Sequence, residues 1–165
     1  MHHRRASPWL PSVAFLAILA APSLARAELR LAGFGGVEAG RNRTTAFTLR
    51  AEGTFGLLPW LRAGAYAASL HGSGDHGMSL GGMLALRPRL PLTPVDPVAW
   101  VSVGYQRSPI GNGTDAGLVV QAGLGLAIAL GPVADLELRA GYSQLAGSRH
   151  DGPGFLGLLG VSFHT

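Results

Sequence analysis

The sequence predicts an all-β protein, an eight-stranded antiparallel up-and-down transmembrane β-barrel, and three observations carry that prediction. The first is the run Gly117–Leu130, in which Leu118, Val120, Ala122, Leu124, Leu126, Ile128 and Leu130 alternate with Val119, Gln121, Gly123, Gly125, Ala127 and Ala129. A period of two is that of a strand. Gly123 and Gly125 would each cost a helix roughly 1 kcal/mol relative to alanine. The run is also shorter than the ~20 residues a helix needs to cross a bilayer, whereas a tilted strand crosses in about 9–11. The second observation is the charged fraction, 13%, about half of the ~25% usual for soluble domains, so something other than water covers much of the surface. The third is that the connections between strand-like segments alternate in kind, as the two ends of an up-and-down barrel require.

In chain order, residues 1–27 open with His2, His3, Arg4 and Arg5, pass through an apolar stretch around Val13–Ala21 and close on Ala25-Arg26-Ala27. That is the layout of a signal peptide, ending in the small-x-small pattern a signal peptidase reads. The apolar stretch is too short for a permanent anchor and is bracketed by Pro11 and Pro22, so export and cleavage after Ala27 are expected. The remaining residues, 28–165, form one domain of eight segments: Glu28–Ala39, Thr45–Phe55, Trp60–Leu70, Met78–Arg89, Val98–Arg107, Ala116–Leu130, Asp135–Leu145 and Phe155–His164. Each alternates once a face is chosen. In the second, Phe47, Leu49, Ala51 and Phe55 oppose Thr48, Arg50, Glu52 and Thr54. In the seventh, Leu136, Leu138, Ala140 and Tyr142 oppose Glu137, Arg139, Gly141 and Ser143. Connections at Gly56–Pro59, Leu90–Pro97 and Gly131–Ala134 carry proline, while those at Gly40–Arg43, His71–Gly77, Ser108–Asp115 and Ala146–Gly154 are rich in glycine and polar residues. The first set reads as turns at one end and the second as loops at the other.

Composition excludes several function classes. Lysine and cysteine are absent, so there is no disulfide framework, thiolate metal site or lipidated N-terminal cysteine. The net charge of +4 falls to about +1 once Arg4, Arg5 and Arg26 leave with the leader. The other arginines are scattered singly rather than clustered, which argues against nucleic-acid binding.

Alternation alone does not separate a soluble sandwich from a membrane barrel. The polar face does: it holds Arg30, Glu38, Arg50, Glu52, Arg62, Arg87, Glu137 and Arg139, interleaved with Gly36, Gly64, Gly81, Gly104, Gly123, Gly125, Gly141 and Gly160. A solvated face needs no such glycine content. The interior of an eight-stranded barrel is just wide enough for side chains to fill, so glycine beside long charged residues fits there. The opposite face, uncharged and rich in Leu, Val and Ala, suits lipid, with Tyr105, Tyr142, Phe155 and Phe163 near segment ends as an aromatic girdle.

With this signal-like leader, eight alternating segments, turn-and-loop asymmetry and a last segment FLGLLGVSFHT carrying Phe163 near its end, the chain resembles the small eight-stranded outer-membrane proteins of Gram-negative bacteria, the OmpA/OmpX-like barrels. The resemblance covers residues 28–165. It implies an outer-membrane location, contact with outer-membrane lipid and lipopolysaccharide, insertion by the barrel-assembly machinery and a monomeric barrel; as a departure from the family, no cell-wall-gripping domain is expected after it. His164 and Thr165 follow the last aromatic residue, where family members usually end on it.

Few residues suggest chemistry. His71, Ser73 and Asp75 stand at i, i+2 and i+4, which on a strand would put imidazole, hydroxyl and carboxylate on one side; some eight-stranded outer-membrane barrels are lipid A deacylases with a His–Ser pair. The interleaved Gly72, Gly74 and Gly77 instead read as an ordinary polar loop. His71, Asp75, His76, His150 and Asp151 could meet on the loop side, but they lack a recognisable ligand spacing. No catalytic, cofactor or metal site is therefore expected, and no cofactor. The most loaded set is Arg50, Glu52, Arg62, Glu137 and Arg139, because buried charges persist only when paired. It is expected to be a charge network filling the barrel. The expected function is structural or surface-interacting, without enzymatic activity; the alternatives are a lipid A-modifying enzyme, a narrow channel and a soluble secreted β-protein.

Overall fold

The computed structural model describes residues 28–40, 45–72, 76–91, 93–110, 113–147 and 152–165. The expected leader, Ser73, Asp75, His150 and Asp151 lie outside the described residues. Eight strands follow one another: β1 (Leu29–Gly40), β2 (Ala46–Leu58), β3 (Leu61–His71), β4 (His76–Leu86), β5 (Val95–Ile110), β6 (Gly113–Ala129), β7 (Ala134–Ala146) and β8 (Gly152–His164). Every strand pairs antiparallel with the next, and β1 pairs with β8 to close the barrel. The start of β1, Leu29, and the end of β8, His164, therefore lie at the same end as the turns after β2, β4 and β6.

Alternation sets which way each side chain points. Along β6, Val119, Gln121 and Ala127 are buried while Leu118, Leu124 and Leu126 are exposed, Leu124 at 70%. The outer wall continues through Leu31, Leu49, Leu80, Val103, Leu138 and Leu159, all exposed. Rings flank this apolar band at both ends. Phe47, Tyr105, Tyr142 and Phe155 lie toward the loops, and Phe55, Trp60 and Phe163 toward the turns. Tyr142 and Phe155 face each other across β7 and β8 in an edge-to-face pair, with centroids 6.4 Å apart. An outer face this apolar is stable only against hydrocarbon.

Two boundaries differ from the sequence reading. Ser108–Asp115 is not a loop: Ser108 pairs with Asp115, Pro109 with Thr114 and Ile110 with Gly113, so the β5–β6 hairpin extends the ladder to a gap of two residues. Pro97 and Pro109 are accommodated because β4 pairs with β5 only from Ala99 to Arg107. Both prolines sit beyond that stretch, where one edge of β5 is free and a missing N–H leaves no gap in the ladder. Arg87 and Arg89 lie past the end of β4 rather than within it, although Arg87 remains buried.

The glycines also do something the sequence reading did not anticipate. They chiefly make room for aromatic rings rather than for charges. Tyr66 on β3 pairs with Gly81 on β4, which pairs with Gly104 on β5. A Cβ on Gly81 would fall 2.9 Å from Tyr66 Cε1, and one on Gly104 would fall 2.6 Å from Tyr66 Oη. Likewise Trp100 pairs with Gly123, which pairs with Gly141, and a Cβ on Gly141 would reach within 2.8 Å of Trp100 Cζ2. Phe34 lies against its partner Gly160. Among the described glycines, Gly125 fits the charged expectation, with Arg139 Cγ 2.9 Å from its Cβ position. The rings of Phe34, Tyr66 and Trp100 thus lie over glycine floors and form the core with Met83, Val98, Leu156 and Leu158. Gly104→Ala should lower stability by about 1–3 kcal/mol, since its methyl would press on the Leu80 carbonyl, the Gly81 backbone and Tyr66 together. Equilibrium unfolding in detergent checks this, and a neutral result would show that the ring can lift off its floor.

Candidate functional site in the barrel lumen

Inward positions on six strands converge on the lumen, so charges far apart in sequence come within bonding distance. From the turn end upward, Arg87 bonds Asp96 at 3.0 Å and Asp135 at 2.7 Å. Asp135 accepts from Arg30 at 3.0 Å, and Arg30 also reaches Glu137 and Ser162. Glu137 accepts from Arg139 at 2.8 Å, and Arg139 donates through Nη1 to both oxygens of Glu52 at 3.0 and 2.9 Å. Glu52 accepts from Arg50 Nε at 2.7 Å. Arg50 donates to Gln121 at 2.6 Å, which also accepts from Ser102 at 3.1 Å. The result is one unbroken run of hydrogen bonds from Asp96 to Ser102, charge-assisted as far as Gln121.

Four of the five residues expected in this network, Arg50, Glu52, Glu137 and Arg139, are consecutive members of the run. Arg62 is not. It pairs with Glu28 at 2.8 Å at the turn-side rim, with Arg89 on the same carboxylate at 3.4 Å. Arg30, Asp135, Arg87, Asp96, Gln121 and Ser102 complete the run. Arg30 and Arg87 stood on the polar face of the sequence reading, and Asp135 was within reach of it, being two residues before Glu137 and of the same parity. Asp96 carries no such signal in the sequence, because Pro94 and Pro97 around it read as a connection.

Cations and rings are interleaved as well as cations and anions. The Arg50 guanidinium carbon sits 3.9 Å from the centroid of Tyr66 and 5.4 Å from that of Trp100, and that of Arg139 lies 4.4 Å from Phe34. The Arg50 and Arg139 guanidinium groups therefore present edges to carboxylates and faces to rings, the two environments in which arginine tolerates loss of water. Tyr66 Oη bonds Ser79 at 3.1 Å, and higher in the lumen Ser143 donates to Glu38 at 2.7 Å. The space enclosed by Arg30, Glu52, Arg62, Met83, Glu137 and Arg139 measures about 10 Å³, at the lower limit for a single water.

At the rim, two groups outside the strands have shifted acidities. Burial pushes the Glu28 carboxyl up, but the hydrogen bond and charge of Arg62, with Arg89 and His164 behind it, hold it below the usual carboxylate range. Burial pulls the Arg87 guanidinium down, and its bonds to Asp135 and Asp96 raise it above its ordinary value. Both groups are fully charged at neutral pH, so the rim is clamped by ion pairs.

Of the loop-side residues, His71 and His76 are described, and they form the terminal pair of the β3–β4 ladder. His71 bonds Ser69, two residues earlier. The proposed partners Ser73 and Asp75 lie outside the described residues. Among the described residues no group of three or more His, Cys, Asp or Glu is placed to hold a metal ion.

No protein-family model matches the chain, and no curated protein matches it in sequence. Solved structures do. The N-terminal β-barrel domain of Pseudomonas aeruginosa OprF superposes with a TM-score of 0.68 at 13% identity, covering 85% of this chain and 98% of that one. Neisserial surface protein A gives 0.61 at 13% identity over 84% and 95% of the two chains. Ail of Yersinia pestis, solved with the heparin analogue sucrose octasulfate, gives 0.56 at 11% identity over 85% and 99%. The chain has the fold of the eight-stranded outer-membrane β-barrels.

Proposed function

We propose that this chain is a Gram-negative outer-membrane protein whose closed barrel acts as a structural or surface-presenting element, neither a pore nor an enzyme. The observation that carries this reading is the lumen, crossed by the run from Asp96 to Ser102 and packed with Phe34, Tyr66 and Trp100. A conducting path would have to part at least one buried guanidinium from its carboxylates, leaving a charge without water or partner. Residues 1–27 fit a leader that delivers Glu28 as the new N-terminus. The exposed apolar wall fits a coat of outer-membrane lipid, with lipopolysaccharide around the loop-side rings, and β8 fits delivery by the barrel-assembly machinery to a monomeric end state.

A non-enzymatic role is supported by the surroundings of Ser69. Ser69, His71 and His76 stand in the order nucleophile, base and orienting group, but Ser69 is paired to Leu49 on one side and Met78 on the other. The backbone amides that would stabilise an oxyanion there are engaged in the ladder.

The test is electrical. The purified protein, reconstituted in planar bilayers, should show no steady conductance, and fractionated cells should hold it in the outer membrane. Stable single-channel currents would overturn the closed-lumen reading, and recovery in the soluble periplasm would overturn the membrane reading.

A further inference from the structure

The β3–β4 hairpin ends in a cross-strand pair of histidines, His71 and His76, on the outward parity of both strands. Their Nδ1 atoms are 2.9 Å apart, and the rings meet at 75° with centroids 5.0 Å apart. On the far side of the first ring, His71 Nε2 lies 3.1 Å from Ser69 Oγ. The 2.9 Å contact between the two ring nitrogens needs one of them to carry a proton and the other a lone pair, and the Ser69 hydroxyl can serve either arrangement. With Ser69 Oγ accepting from Nε2–H, His71 carries its proton on Nε2 and leaves a bare lone pair on Nδ1. The short contact then has His76 donating Nδ1–H into that lone pair. One proton thus lies between two imidazole nitrogens, and both rings direct the atom that binds metals toward it.

We propose that His71 and His76 form a surface site for a divalent transition-metal ion of the Cu²⁺ or Ni²⁺ type, the ion replacing the shared proton. The single ring proton of His76 moves from Nδ1 to Nε2 by exchange with solvent, so both rings bind through Nδ1 as neutral imidazoles and protons and charge balance. The spacing selects the metal. An ion about 2.0–2.1 Å from both nitrogens, with those nitrogens 2.9 Å apart, subtends an angle of about 90°. That suits two neighbouring positions of a square-planar or octahedral ion, whereas a tetrahedral zinc site at the same bond lengths would need the nitrogens about 3.3–3.4 Å apart. Ser69 is the outer partner that orients His71, the role a hydrogen-bond acceptor commonly plays behind a metal-bound imidazole. With no third protein ligand among the described residues, water or an external donor completes the ion's coordination, so the site suits reversible capture at the cell surface rather than a permanent structural metal. Rigid strand pairing, instead of a long chelating loop, holds the two ligands in place.

The test uses the chain folded in detergent and titrated with CuCl₂, NiCl₂ and ZnCl₂ separately, with calorimetry for affinity and electron paramagnetic resonance for the copper form. One Cu²⁺ should bind per chain, more tightly than Ni²⁺ or Zn²⁺, with splitting from two imidazole nitrogens in its spectrum. His71→Gln and His76→Gln should each weaken copper binding at least tenfold and leave one nitrogen. Ser69→Ala should weaken it about tenfold while keeping both. All three positions face outward, and circular dichroism checks that each variant keeps its strands. In the unmodified protein, substoichiometric Cu²⁺ should broaden the ring proton signals of His71 and His76 before those of any other histidine, a readout that needs no variant. No binding at millimolar Cu²⁺, equal binding by the His71→Gln/His76→Gln protein, or a preference for Zn²⁺ over Cu²⁺ would each overturn the proposal.

Discussion

Arg139→Ala should destabilise the folded barrel by about 3–5 kcal/mol, the usual loss when one partner of a buried ion pair is removed and the other stays. Arg139 is the node of the lumen: it holds Glu52 through two hydrogen bonds and Glu137 through two more, and it covers the face of Phe34. Truncation leaves Glu52 with the Arg50 cation alone and Glu137 with the Arg30 cation alone, and water cannot easily replace the lost donors, because the adjoining space is about 10 Å³. Replacing Arg50 and Glu52 together with apolar residues of similar volume should lose less than the single truncation, since Arg139 keeps Glu137 and no charge is left without a partner. Urea unfolding in a lipid or detergent medium measures both. An Arg139→Ala protein as stable as the parent would mean that these charges are not coupled.

Leu124→Arg, on the opposite face of the wall, should cost about 2–4 kcal/mol if the residue sits at the bilayer midplane. Leu124 is 70% exposed on the outer surface and pairs with Ala99 and Ala140, near the middle of the band between the two sets of rings. Three residues earlier, on the inner face, Gln121→Glu should be far milder, since it keeps the acceptor used by Arg50 and Ser102. Refolding into vesicles of matched thickness separates the two. Equal losses at both positions would contradict the assignment of faces.

The strand count and the direction of each face were legible because a membrane barrel obeys two demands at once: apolar residues outward to lipid and space-saving residues inward. Thr45–Phe55 and Asp135–Leu145 state both demands within a dozen residues. The ends of strands were less legible. Pro109, Gly111 and Gly113 read as loop because proline and glycine break ladders in general, whereas here β5 outruns β4 and the proline has no neighbour on one side. The interior was read by charge alone. Phe34, Tyr66 and Trp100 share the parity of Arg30, Arg62 and Asp96 on their strands, and an aromatic residue on a polar face was the signal for a ring inside the lumen. Which glycine lies beneath which ring could not be read, because it depends on register between strands. The same holds for His71: sequence spacing grouped it with Ser73 and Asp75, while strand pairing set it against His76 and Ser69.

The pairing of β1 with β8 bears on how this molecule reaches its final form. Arg30 is matched with His164 and Ala39 with Phe155, so the seam joins the two extremes of the described chain, while the seven other interfaces join consecutive strands. Consecutive hairpins are rapid local events; joining the ends must wait for all of them and carries the largest loop-closure entropy of any contact in the barrel. Until it happens, the first and last strands are open edges, prone to pair with another chain. The bonds from Arg30 on β1 to Asp135 and Glu137 on β7 and to Ser162 on β8 form only across that closed seam. They therefore act as a latch on the last step of assembly, slowing reopening more than they speed closure.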